Sequence, residues 1–179
     1  PVVLNVITRL FQNLVIFIFL ARFLETERLA FLTLVFTLIF MISNILDYGL
    51  RLRINVDFKD ILKNKDRFIS DWLALKFLGL IIFIFLISAY GSFASYSFKE
   101  IYFFIGAAFS GFLLSISLYF SYFMSANEKY IPELSINAWF LFGCIMSATF
   151  LFLTDSDYIF LLIIIFTNFI GAALGFLSF

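Results

Sequence analysis

Asp155-Ser156-Asp157 places two carboxylates one residue apart, a spacing suited to a hard divalent cation and so to metal-assisted transfer chemistry. The same residues stand directly before a long apolar run, where Ser and Asp side chains cap helix N-termini, and capping is the expected role. Glu25-Thr26-Glu27 is a second acidic cluster, also in a short turn between apolar runs. The chain has 0 His, which removes the commonest metal ligand and general base. Its single Cys144 lies in an apolar stretch and is expected to pack as a small hydrophobe. No P-loop, HExxH or GxSxG pattern occurs. The sequence therefore offers no catalytic set, no metal site and no cofactor site, and a non-enzymatic protein is expected.

The polar residues that demand an explanation lie inside apolar runs. Asn5, Arg9, Gln12 and Asn13 punctuate the first run, and at 100° per residue they fall within an arc of roughly 100°. Thr33, Thr37, Asn44, Asp47 and Arg51 do the same in the second, within about 80°. A charged side chain at mid-bilayer costs about 2.5–3.5 kcal/mol on insertion scales, so such groups usually face a bundle interior or a wet cavity. Plainer readings exist: Asp47 and Arg51 can pair at i,i+4, and Arg9 can reach back to the interface. Two neighbouring stripes nevertheless point to a shared polar passage. Arg9, Asn5, Gln12, Asn13, Asn44, Asp47 and Arg51 are the candidate binding residues.

The elements that carry them must be membrane helices. Apolar residues make up 64% of the chain and charged ones only 13%, against roughly 25% charged in soluble domains. The apolar residues come in runs of about 20, enough to cross a bilayer as helix. They are continuous rather than alternating, which excludes a barrel. Six spans are expected at about 3–24, 29–50, 72–91, 101–124, 131–153 and 158–178. The fold class is all-α: a polytopic membrane protein in a single six-helix unit over 1–179.

Residues 51–71 form the one strongly charged connection. It gathers Arg51, Arg53, Lys59, Lys63, Lys65 and Arg67. With Arg9, Lys76 and Lys129 that side holds nine basic residues, and the other holds three, Arg22, Arg28 and Lys99. Positive flanks stay cytoplasmic, so both termini are expected inside a plasma membrane. The net charge of +0 gives no reason to expect nucleic acid as a partner. Small residues share one face of the fourth span (Gly106, Ser110, Ser117, Ser121) and of the sixth (Asn168, Gly171, Ala172, Gly175). Close helix packing is the expected role of both sets, with a cavity wall as the alternative.

The stretch Ala21-Arg22-Phe23-Leu24-Glu25-Thr26-Glu27-Arg28-Leu29-Ala30 resembles the ARxLGPxxFG turn of polysaccharide and oligosaccharide flippases. Asp47-Tyr48-Gly49-Leu50 is similar to the DLGL ending of their second helix, and Asn64-Lys65-Asp66-Arg67 leads into a third helix in the family's style. Glu25-Thr26 stands where the family has Gly-Pro, and Ala30 where it has Gly. The likeness covers roughly the first 90 residues. It implies membership of the multidrug/oligosaccharidyl-lipid/polysaccharide transporter superfamily, whose members pair two six-helix lobes around a central cavity. The resemblance further implies that this chain is the N-terminal lobe, that a C-terminal lobe is missing, and that the start at Pro1 and the stop at Phe179 mark a fragment.

The implied substrate is an undecaprenyl-diphosphate-linked oligosaccharide, moved from the cytoplasmic to the external leaflet by alternating access. Arg9 is the expected holder of the anionic headgroup, since relatives place cations in that cavity. Asn5, Gln12, Asn13 and Asn44 would bond sugar hydroxyls. The rival readings are a cation-coupled small-molecule exporter of the same superfamily, which would use a membrane carboxylate such as Asp47, and a membrane glycosyltransferase or polymerase of the same pathway. A non-transporting membrane scaffold would leave the two stripes without a role.

Overall fold

The computed structural model describes residues 18, 20–22, 24–50, 53, 54, 56, 61, 63–127 and 130–178. Five long helices account for most of them: α1 (Thr26–Ile45), α2 (Lys65–Phe93), α3 (Phe98–Ala126), α4 (Tyr130–Thr154) and α5 (Asp157–Ser178). Each is long and apolar enough to cross a bilayer. No strand occurs among the described residues. The chain is an all-α polytopic membrane protein. The first expected span lies outside the described residues except at its end, where residues 18 and 20–22 are helical.

Two helix limits differ from the sequence expectation. The second span was expected to run to residue 50, but α1 stops at Ile45, and Tyr48 (φ 48°) and Gly49 (φ 70°) then turn left-handed. Gly49 carries no Cβ penalty there. The third was expected to start at residue 72, but helix begins at Lys65. Hydropathy locates the lipid-crossing part of a helix and misses a charged first turn. Asp66 in that turn complements the positive end of the helix dipole.

The middle helix, α3, packs against α1, α2, α4 and α5, and α4 also packs on α5. Burial follows that order, with 61% of the apolar window of α3 enclosed against 22% for α2. On α2, Phe77, Leu78, Ile81, Ile82, Phe85 and Leu86 project outward as an apolar face suited to lipid. Close approach of α1 to α3 depends on Gly111, where an added Cβ would lie 2.7 Å from the Ile39 carbonyl oxygen. The core around this crossing joins Leu32, Val35, Phe36 and Ile39 of α1 to Phe103 and Ala107 of α3 and Phe160 and Ile164 of α5.

Candidate functional site

Because α1, α3 and α5 run one way and α4 the other, residues near 40–44, 114–121, 136–140 and 167–171 come level with one another. They lie in the half of the bundle that leads to the basic connection. There the four helices leave a cavity of about 160 Å³. Apolar side chains (Phe40, Leu114, Leu118, Ile136, Phe140) share its wall with Ser43, Asn44, Ser117, Ser121, Asn137, Thr167 and Asn168. Drug-sized ligand pockets run to about 300–1,000 Å³. The cavity therefore has room for waters or a few small polar groups.

Polar residues at this depth have to be supported by their neighbours. Asn168 is 1% exposed. Its Nδ2 donates to Ser110 Oγ at 2.8 Å, and Ser117 Oγ donates to the Asn168 carbonyl at 3.3 Å. Asn168 Oδ1 has no hydrogen-bond partner among the described residues. A buried amide oxygen on a cavity wall is an acceptor for a water or a ligand hydroxyl. The Thr167 hydroxyl instead returns to the Ile163 carbonyl, 2.7 Å away.

Both expectations for the small-residue faces of α3 and α5 have a structural counterpart. Gly171 and Gly175 admit α3 closely: added Cβ atoms would lie 3.1 Å from Ser117 Oγ and 2.7 Å from Phe120 Cβ. Ser117, Ser121, Asn168 and Gly171 also line the cavity. The seam that packs the two helices thus opens into the cavity wall.

Of the residues singled out in the sequence, Asn5, Arg9, Gln12, Asn13 and Arg51 lie outside the described residues. Asn44 is exposed and on the cavity wall. Thr37 is exposed on the same side of α1, while Leu32, Val35, Phe36, Ile39 and Ile42 turn into the core. Asp47 is half-buried in the turn that ends α1 and attracts the ammonium of Lys76.

Lys76 was counted among the flanking charges, yet it is 1% exposed. Its Nζ donates to the Leu46 carbonyl at 2.8 Å and lies 3.3 Å from Ser115 Oγ and 3.4 Å from the Ser115 carbonyl. Glu133, in the first turn of α4, is also buried and accepts a bond from Ser121 at 3.4 Å. Glu133 is thus a second carboxylate, besides Asp47, within the expected spans. Glu133 and Asn137 stand one turn apart at i,i+4, and that spacing was the available signal for this face of α4. Ser43 and Thr167 stand directly before Asn44 and Asn168, and that adjacency was the one signal the sequence carried for them.

At the opposite end the acidic cluster has a structural role. Arg28 of α1 donates through Nη1 to Asp155 and through Nε to Asp157 at 2.7 Å. Both carboxylates of the DxD pattern are thus engaged by a cation of the chain itself. Asp155 adopts φ 53° and Asp157 opens α5. Nearby, Ser97 and Glu100 form a capping box at the start of α3.

No protein-family model, curated protein or solved structure matches this chain.

Proposed function

We propose that this chain forms one wall of a membrane passage for a lipid-linked oligosaccharide, exported to the outer leaflet of the plasma membrane without covalent chemistry. The observation that carries the reading is the cavity lined by Ser43, Asn44, Ser117, Ser121, Asn137, Thr167 and Asn168. Uncharged amides and hydroxyls both donate and accept, and so match a sugar's hydroxyls. The outward apolar faces leave a lipid tail in the bilayer while a headgroup uses the polar interior. Arg9 remains the proposed partner for the diphosphate, with Asn5, Gln12 and Asn13 beside it and Asp47 and Arg51 at the end of the second stripe. A second six-helix lobe would close the passage, and the basic connection would lie in the cytoplasm.

The test is export of the glycan by the full-length protein carrying Asn44→Leu together with Asn137→Leu. Export should fall by about tenfold or more while the protein still inserts and accumulates. Unchanged export would remove this cavity from the route. Arg9→Ala should abolish export, and Arg9→Lys should restore part of it.

A cation-coupled exporter is the second reading, and the buried Glu133 beside the cavity residue Ser121 favours it. Dependence of transport on a sodium or proton gradient, lost in Glu133→Gln, would select it.

A further inference from the structure

One face of the end of α1, carrying Leu46, lies inside the bundle. Lys76 stands 11 residues beyond Lys65, the first residue of α2, or roughly 16 Å along that helix at 1.5 Å per residue. At that level its ammonium meets the carbonyl of Leu46, a residue with no exposed surface. The chain continues past this point through Leu50 and Ile54, which are equally enclosed. A helix that ends in such surroundings must satisfy its last carbonyls without water.

The left-handed turn at Tyr48 and Gly49 makes this acute. In a continuing helix the Leu46 oxygen would accept from the N–H of Leu50. Here that N–H goes to the Asp47 oxygen instead, at 2.9 Å. The Leu46 oxygen takes the Lys76 ammonium, whose other two neighbours are both oxygens of Ser115. Three oxygen acceptors match the three donors of an ammonium. The negative end of the α1 dipole and the Asp47 carboxylate add charge of the sign a cation needs.

Close docking holds the arrangement in place. Gly79, one turn beyond Lys76, lets Leu46 and the Tyr48 hydroxyl approach α2, the latter to 2.6 Å of an added Cβ. The Tyr48 and Trp72 rings lie 6.0 Å apart. Oxygen atoms at a broken helix end, one hydroxyl and a nearby carboxylate make up the donor set that holds a small hard cation in a membrane protein.

We propose that Lys76 is a tethered cation in a helix-end cation site, fixing the end of α1 to α2 and α3 without an exchangeable sodium or potassium ion. The inference is independent of the transported substrate. Wild-type protein should melt at the same temperature in sodium, potassium or choline chloride of equal ionic strength. Lys76→Ala opens the site, and Lys76→Met fills it without charge.

The measurement is the melting temperature of purified full-length protein in nanodiscs. Both variants should lose roughly 5–10 °C in choline chloride, because the Leu46 and Ser115 oxygens lose the cation they share. Sodium or ethylammonium should restore Lys76→Ala saturably and leave Lys76→Met unchanged. A Lys76→Met protein as stable as wild type would overturn the proposal, as would a Lys76→Ala protein indifferent to every small cation. If Lys76→Ala does not accumulate, membrane levels of Lys76→Arg and Lys76→Met decide. Arginine above methionine supports the tethered cation, and methionine equal to or above arginine overturns it.

Discussion

The two ends of this helix bundle use polar residues in opposite ways. At the Arg28 end, opposite charges meet directly across helices, the capping box closes α3, and aromatic rings fill the space between. Phe36 meets Phe160 at 5.5 Å and Phe103 meets Tyr158 at 4.8 Å. At the other end, hydroxyls and amides line a cavity, and a lone ammonium is held by carbonyl and hydroxyl oxygens. Charges that meet each other leave nothing to bind. Neutral groups around a gap keep valences that a water or a ligand can use, as Asn168 Oδ1 does. The Arg28 end is a clasp, and the end toward the basic connection has the makings of a site.

The largest expected effect comes where the two ends depend on one crossing. Gly111→Val places a branched side chain against the Ile39 carbonyl oxygen. It should cost about 3 kcal/mol and lower the amount of protein in the membrane, measured by fluorescence-detected size exclusion. Asn168→Leu removes the bond to Ser110 and one polar wall of the cavity. Its cost should be about 1 kcal/mol, seen as a lower melting temperature. The comparison sharpens if export falls by more than stability does.

Arg28→Ala should cost least, about 0.5–1 kcal/mol, because its partner Asp155 is largely exposed. Adding Asp155→Asn and Asp157→Asn to it should cost little more, since the three act as one unit. That cycle is read by melting in low and high salt, with the difference shrinking as salt rises. A loss of export from Arg28→Ala without loss of stability would break the comparison, because it would move function to the clasp.

Much of this was legible in the residues, and the rest was not for identifiable reasons. Apolar runs of membrane length announced the helices, and Gly171 with Gly175 announced close packing on α5 without naming α3 as its partner. Lys65 to Asp71 looked like loop because charge depresses hydropathy without depressing helix propensity. Lys76 looked like a flanking charge because composition does not say whether a lysine meets water or a broken helix end. The ion pairs of Asp155 and Asp157 were hidden because their partner, Arg28, lies more than a hundred residues away. The cavity draws one or two polar residues from each of four helices, and only their docking makes them neighbours.

Chemical access to the cavity tests the contrast most directly. In a full-length Cys144→Ala protein in native membranes, single cysteines at Asn44 and Asn137 should react with a membrane-impermeant thiol reagent. Single cysteines at Phe36 and Ala107, in the packed half, should stay unreacted. Equal protection at all four positions, or reaction at Phe36 and Ala107 alone, would contradict a water-accessible passage at the end toward the basic connection.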